Sequence, residues 1–405
     1  MKSSAEAVVI GGGIIGCSLA YFLAKKMENV VLLERKGVSS EASGANYGMV
    51  WRQSRLPGFD LNTALRSLEI YPALVRDVFD LDIEYEVKDG ITIFLTEIQR
   101  EAARGYVKLK QDLGIPSRLL DGYETRQLEP ALSDEVAGSI LCPGEVTLNP
   151  FYTTRAFARA AVKEGAKIYT NTEVTGIKID SGSVSGIITD RGGIKTKIVI
   201  NAAGSWAPEV GAMAGVEIPV YPHRLQSLVT EQLPRLVNHT IQGARVAHSL
   251  EEAAKTFQYV YDATGGQSSI YQEPSHEEWI ESSLLYIRPT VNGNIVLGTA
   301  CDFMGFDRRT NYEALALIAA MAARVVPRLK DVKIIRSWSN FDPWTADGIP
   351  VVEESSIKGF IVCAGHGTGM SHGPATGEAI AALLTGDTPV IELPGKRLRA
   401  SLNAH

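Results

Sequence analysis

Cysteine is scarce in this chain. Cys17, Cys142, Cys301 and Cys363 are the four copies in 405 residues, and they lie far apart. That scatter argues against a disulfide framework or a cysteine-based zinc site, and it fits a reducing, cytoplasmic setting. Basic blocks are also missing. Forty Lys+Arg against 46 Asp+Glu leave a net charge of -6, which speaks against a nucleic-acid partner. No His and acidic residues stand at recognisable metal spacing, so no metal site is expected. No serine-nucleophile motif, repeat or low-complexity tract occurs. Asn238-His239-Thr240 is a glycosylation sequon with nothing else to suggest secretion. One long uncharged run exists, Ala7 to Ala24, and it contains Gly11, Gly12 and Gly13. Glycine in a helix interior costs about 1 kcal/mol each. The run therefore reads as a strand, a tight turn and a helix, not as a signal peptide or membrane span.

What is present is enough for a large core: 45% of residues are hydrophobic and 21% charged. At about 150 residues per domain the length suggests two or three domains. The N-terminus predicts a βαβ unit: strand Ala7 to Ile10, helix Ile14 to Met27, strand Val30 to Leu33. A helix from about Leu61 to Phe79 follows. Ile83 to Val87 and Ile91 to Leu95 read as a hairpin closed near Asp89-Gly90. Glu97 to Leu113 is a polar amphipathic helix, Pro143-Gly144 a turn, and Phe151 to Glu164 a helix ended by Gly165. Three strands, Glu173 to Ile179, Val184 to Thr189 and Lys195 to Asn201, form a meander. Asn311 to Val326 is helical. Near the end come a strand, Phe360 to Ala364, a glycine-rich loop, Gly365 to Gly373, and a helix, Ala375 to Leu384, with Pro374 at its first position and Gly386 at its stop.

Gly11-x-Gly13-x-x-Gly16 sits between the first strand and helix. Gly11 permits the sharp turn, Gly13 lets a pyrophosphate approach the backbone, and Gly16 lets helix and strand pack closely. The helix start at Ile14 and Ile15 offers amides and a positive dipole to phosphates. Glu34, followed by Arg35, ends the second strand, where an acid accepts hydrogen bonds from ribose hydroxyls. An acid there argues against a 2′-phosphate. The motif alone does not separate FAD from NAD. The second strand, glycine loop and helix at the far end favour FAD, which needs a surface for its flavin ring. The amides of Gly365, His366, Gly367, Thr368, Gly369 and Met370 suit the ring edge that gains negative charge on reduction.

Together these pieces resemble the D-amino-acid oxidase-like flavoproteins, the glycine, sarcosine and D-amino-acid oxidases and dehydrogenases. The resemblance rests on VVIGGGIIGCSLAYFLA, VVLLER, SSEASGANYGMV, EVTGIKI, NAAGSWA, YIRPTVNGNIVLG, TADGIPVV and GHGTGMSHGPATGEAIAALLTG, in family order over nearly the whole chain. It implies an α/β fold: a Rossmann-type FAD-binding domain plus a mainly antiparallel-sheet α+β substrate domain. The first comprises residues 1-82, 146-218 and 335-405, and the second 83-145 and 219-334. It also implies that Glu34 holds the adenosine ribose. Ser43, Gly44, Ala45, Asn46, Tyr47, Gly48 and Met49 would wrap the pyrophosphate and reach one flavin edge. Val174 would meet adenine, and Ala203, Gly204 and Trp206 would flank the pyrophosphate. Gly365 to Met370 would lie beside the flavin. Some members attach flavin to a cysteine before the segment matching TADGIP, and others to an N-terminal histidine. Here that segment follows SWSNFDPW, and no histidine precedes His223, so non-covalent FAD is expected. The stretch Gly243 to Ser283 fits no family pattern.

On the substrate side, Tyr286 and Arg288 alternate along a strand and share a face. Pro289 keeps Arg288 extended, and Asn292-Gly293 closes a tight hairpin. Arg288 is the candidate carboxylate ligand, its guanidinium suited to two parallel hydrogen bonds. His366, framed by glycines, packs on the flavin or donates a hydrogen bond in preference to acting as a base. His372 reads as structural, Asp347-Gly348 as a turn beside the site, and Tyr47, Met49 and Trp344 as pocket walls. Tyr286, Arg288, His366 and Met49 are the candidate catalytic residues. The reaction expected is oxidation of an amino acid or N-substituted amino acid to an imine and then a keto acid. Alternatives are oxidation of a polyol phosphate or hydroxy acid, and a flavin subunit that passes electrons to partner subunits. A homo-oligomer is compatible with either.

Overall fold

The computed structural model describes residues 1–243 and 284–395. Two large sheets organise it. The first has six strands in the order Val351–Glu354, Phe360–Ala364, Val199–Asn201, Ala7–Ile10, Val30–Leu33, Lys167–Tyr169. All neighbours pair in parallel except Val351–Glu354 with Phe360–Ala364. Its central strands are buried on both faces, which is why AVVI, VVLL and FIVCA are unbroken apolar runs. Helices cover one face, with Leu19, Tyr71, Phe157 and Met370 in a single core cluster. A three-stranded antiparallel sheet covers the other, where Val174, Ile177 and Ile187 join Val8, Ile10 and Val199. Leu19 is fully buried, so Leu19→Ala costs about 2–5 kcal/mol.

The helix ends follow local chemistry. Asn149 accepts from the amide of Tyr152, with Pro150 opening the helix Pro150–Lys163. Thr96 and Gln99 form a capping box at Glu97–Asp112. The second sheet has nine strands. Along its main path the order is Ile334–Trp344, Tyr221–Thr230, Ile295–Asp302, Tyr286–Pro289, Ile241–Gly243, Glu86–Phe94, Gly138–Thr147, Met49–Val50. Arg118–Asp121 pairs with Gly138–Thr147 off this path. The helix Tyr312–Val325 packs its Ala314, Ile318 and Ala322 into the core beneath. Within this sheet Arg224 and Asp302 are register partners, and Arg224 Nε and Nη2 donate to the two carboxylate oxygens at 2.7 and 2.5 Å.

Several sequence expectations need correction. The stretch expected to be a hairpin at Asp89-Gly90 is one strand, Glu86–Phe94, which pairs with Gly138–Thr147; a register shift falls between Lys88 and Gly90. Pro143-Gly144 lies inside that partner strand, opposite the irregularity, and does not end it. The third meander strand divides in two. Gly192–Lys195 completes the antiparallel sheet, and Val199–Asn201 enters the parallel one. Helix Gly369–Leu384 starts within the glycine loop, so Pro374 is internal, in the second turn; the carbonyl it leaves without an N–H, Met370 O, accepts from the Tyr71 hydroxyl at 2.9 Å. Ile334–Trp344 pairs with Tyr221–Thr230 in the larger sheet, although most of it lay in the segment assigned to the cofactor domain. The expected hairpin after Arg288 is present: Thr290 and Asn294 close it, with Gly293 at φ 84°. Of the Gly243 to Ser283 stretch, all but Gly243 lies outside the described residues. Among the described residues no helix is long and apolar enough to cross a membrane.

Candidate cofactor and active site

One cavity runs between the two sheets, and one end of it is built by the first βαβ unit. Gly11 takes φ 113°, and a side chain there would meet Ala202 O at 2.5 Å. A Cβ on Gly16 would run into Gly11 O, so this glycine sets the helix-to-strand distance. Gly13 faces open space apart from Ser43 Oγ, 2.9 Å from a Cβ placed on it. Ser43 Oγ accepts a hydrogen bond from the Ile14 amide at 2.9 Å, which brings the 43–49 segment over the helix start. Glu34 leaves the second strand with both carboxylate oxygens engaged. Oε2 accepts from Gly12 N and Oε1 from Lys36 N, each at 2.7 Å. A carboxylate oxygen has two lone pairs, so a diol can still be bound.

Beyond Glu34, Trp206 stacks on Phe306 with centroids 4.7 Å apart. The Arg35 guanidinium lies 4.2 Å from the same indole. Ile14, Ile15, Arg35, Val174, Ala203, Gly204 and Trp206 all line the cavity here.

The far end is built by the strand Phe360–Ala364, the turn at Gly365 (φ 84°) and the helix Gly369–Leu384. This helix packs on the first one through glycines. A Cβ on Gly373 would reach Ile14 Cγ1 at 2.9 Å, and one on Gly377 would reach the Ser18 carbonyl carbon at 2.9 Å. The close crossing aims both helix N-termini into one cavity. His366, Gly367, Thr368, Gly369 and Met370 line it. His366 is buried, and its Nδ1 has no hydrogen-bond partner. Burial and the nearby His372 hold its pKa well below the usual value, so the imidazole is neutral. His372 Nε2 instead meets Asp60 Oδ1 at 2.8 Å. Burial alone would raise the Asp60 carboxyl, but Arg55 and His372 outweigh it and hold it at about 2.

The third region is aromatic. Tyr47 stacks on Tyr286 with centroids 4.7 Å apart and rings 24° from parallel, and Met49 packs against the pair. The Tyr47 hydroxyl lies 2.6 Å from Ser227 Oγ, and burial pushes its pKa up. A side chain at Gly298 would overlap that hydroxyl, so glycine is what lets the ring sit there. Leu225, Asn340 and Asp342 complete this wall.

The expected residues divide by position. Gly11, Gly13, Glu34, Ser43, Asn46, Tyr47, Gly48, Met49 and Tyr286 line the cavity, together with the residues named above. Gly16, Gly44, Ala45 and Gly365 do not; they shape the loops behind it. Ala45, for example, accepts from Trp338 Nε1 through its carbonyl at 3.1 Å. Arg288 is also outside the lining. It is buried, its Nη2 donates to Leu148 O at 2.8 Å, and burial lowers its pKa. Arg35 and Arg55 are the described arginines that do line the cavity, and Arg55 lies 3.7 Å from Asp60. Sequence reasoning passed over Arg55, Asn340 and Asp342. The signal for Asp342 was a lone charge in the apolar, aromatic run FDPW.

The geometry fits an extended dinucleotide. Gly13 leaves a cradle that a Cβ would fill, the Glu34 carboxylate is fixed beside it by the Gly12 amide, and the orphaned His366 nitrogen lies at the other end of the cavity. Comparison with known proteins agrees. The FAD dependent oxidoreductase family model matches residues 6–253 and 241–383. The chain is 29% identical over 405 aligned positions to hydrogen cyanide synthase subunit HcnC of Pseudomonas protegens, covering 89% of this chain and 87% of that one. The crystal structure of glycine oxidase from Geobacillus kaustophilus superposes with a TM-score of 0.82 at 26% identity, covering 97% and 98% of the two chains. That of L-proline dehydrogenase from P. horikoshii gives 0.81 at 26%, covering 97% and 96%.

Proposed function

Because this chain belongs to the FAD dependent oxidoreductase family and FAD is its cofactor, we propose that it oxidises the C–N bond of a small amino acid, primary, N-alkylated or cyclic. The imine formed takes up water and yields a keto acid and the freed ammonia or amine. The observation that carries this reading is the single cavity reaching from Glu34, past both helix N-termini, to the wall of Tyr47, Tyr286 and Met49. Bound there, FAD supplies the two-electron acceptor.

The chain's own residues would then act as follows. Glu34 holds the ribose hydroxyls. Ser43 and the backbone at Gly13 and Ile14 take the pyrophosphate, beside the positive end of the first helix. Gly367 to Met370 present amides where the ring gains charge. His366, being neutral, holds the ring by packing and hydrogen bonding and does not act as a base. The stacked Tyr47–Tyr286 pair excludes water and fixes one face of the substrate. Arg55, the guanidinium on the cavity wall away from Arg35, takes the substrate carboxylate, a role the sequence had suggested for Arg288. Orientation and preorganised charge account for most of the rate. The four cysteines are buried and none lines the cavity, which supports non-covalent FAD.

The test is anaerobic mixing of the holoenzyme with a panel of amino acids while the visible flavin absorbance is followed. Bleaching by glycine, sarcosine, proline or a D-amino acid supports the reading. Bleaching by glycerol phosphate alone would replace it. A second reading, a flavin subunit working with partner chains, is favoured by the HcnC relative, itself named as a subunit. Rapid bleaching with little peroxide made in air, together with co-purification of other polypeptides, would establish it.

A further inference from the structure

Two buried aspartates on the larger sheet are treated differently. Asp302 is 3% exposed and is clasped by Arg224 through two hydrogen bonds. Asp342 is 7% exposed, and among the described residues no cation figures in the electrostatics of its carboxyl. Its side chain accepts one hydrogen bond, from Asn340 Nδ2 at 3.1 Å. An ionised carboxylate can accept about four, and buried charges are ordinarily paired. Asn340 and Asp342 alternate on the strand Ile334–Trp344, so they share a face, and both line the cofactor cavity. The cross-strand partners of Asn340 and Asp342 are Leu225 and His223. Tyr47 is close enough for the Asp342 charge to raise its pKa.

We propose that Asp342 anchors the cationic nitrogen of the substrate and accepts its proton, so that the site selects substrates by a charged amine as well as by a carboxylate. The proposal rests on the amino-acid reading above and names the group that meets the nitrogen. The step is redox-neutral. An N–H bond of the ammonium breaks, its electron pair stays on nitrogen, and an O–H bond forms on an Asp342 carboxylate oxygen. The neutral amine is the form from which a hydride can leave. Burial pushes the Asp342 carboxyl up to about 7, against the hydrogen bond from Asn340, which lowers it. An acceptor with that pKa can take a proton and pass it on near neutrality. Its titratable neighbours are Tyr47 and Tyr286 from the facing aromatic pair, His223 from the adjoining strand and Cys301 beside Tyr47. Arg55 is the cavity-lining cation apart from Arg35. The aromatic rings themselves favour a bound cation.

The test uses holoenzyme and three unreactive probes of one size, propylamine, propionate and propanol, with binding read from the perturbed flavin spectrum. Propylamine affinity should rise roughly tenfold per pH unit up to about pH 7 and then level off. Asp342→Asn should remove that dependence and weaken propylamine binding at pH 8 by about 30-fold or more, leaving propionate unchanged or tighter. The kcat/KM profile for any substrate found should lose its limb near pH 7. Asp342→Ser serves as a second variant if the asparagine protein does not retain flavin, and the wild-type pH series stands without either. Propylamine bound no better than propanol, or with the same pH dependence in the variant, overturns the assignment. Bleaching by amino acids alongside pH-independent propylamine binding removes the role of Asp342 and leaves amino-acid oxidation standing. pH-dependent propylamine binding with no bleaching by any amino acid does the reverse.

Discussion

Replacing Gly13 by alanine should separate cofactor binding from folding. The backbone there is extended, φ -80° and ψ -179°, which alanine adopts freely. The added Cβ meets only Ser43, with Oγ at 2.9 Å and Cβ at 3.9 Å. Turning that hydroxyl away forfeits its hydrogen bond from the Ile14 amide, about 1 kcal/mol. Removing a glycine from the unfolded chain returns about 0.4–1 kcal/mol. The apoprotein should therefore melt within about 3 °C of wild type. FAD loses its close approach to the backbone at the same point. One charge-assisted amide-to-phosphate bond is worth about 1.5–3 kcal/mol, so the dissociation constant should rise about 10- to 150-fold. Flavin fluorescence quenching on titration of apoprotein measures this, and differential scanning fluorimetry measures the fold. Gly16→Ala is the contrast. Its Cβ would overlap Gly11 O, so about 1–3 kcal/mol should be lost from the apoprotein itself. Gly13→Ala protein that binds FAD within about twofold of wild type would refute the placement of the pyrophosphate at this turn.

Asp302→Ala should cost about 3–5 kcal/mol of stability, because it leaves the buried Arg224 charge unpaired; denaturant unfolding checks this. Asp342 should act in the opposite sense with pH. Its folded pKa of about 7 lies above the ordinary 3.8, so the folded apoprotein binds more protons between those values and loses stability as pH rises from about 4 to about 7. Asp342→Asn should gain on wild type across that window, and parallel melting curves for the two proteins would show the carboxyl to be unperturbed. Acid precipitation of the holoenzyme should leave the yellow colour in the supernatant, as expected of FAD held without a covalent bond; colour in the pellet would show attachment.

How much of this was legible in the sequence depends on the distance over which the deciding contacts act. The first strand and the strand Val30–Leu33 are found where the apolar runs place them, and the intervening helix starts as expected but stops at Ala24, short of Met27. Burial on both faces and a glycine turn are local signals. The stretch at Asp89-Gly90 misled because Asp-Gly is a hairpin signal only when the flanking strands pair with each other. Here both flanks pair with residues 138–147, which no local pattern announces. The split at residues 195–199 is similar: one continuous β-prone run feeds two sheets because its halves find different partners. At the site, the positions of the glycines and Glu34 were legible because they follow from backbone geometry. Arg55, Asn340 and Asp342 were not, since they reach the cavity through the way the two sheets face each other. Arg288 shows the converse: strand alternation correctly put it on the same face as Tyr286, but depth within the sheet gives its guanidinium to Leu148 O.

The parallel sheet has a temporal consequence for the living cell. Its strand Ala7–Ile10 emerges first from the ribosome, while Phe360–Ala364, the strand that leads into the turn at Gly365, follows about 350 residues later. At ordinary translation speeds that interval is roughly 20–70 s. Once Val199–Asn201 has emerged, the nascent polypeptide carries an open apolar edge there, and only half a berth for its prosthetic group, until Phe360–Ala364 arrives. Capture of the vitamin-derived cofactor therefore waits for Phe360–Ala364 and the turn that follows it.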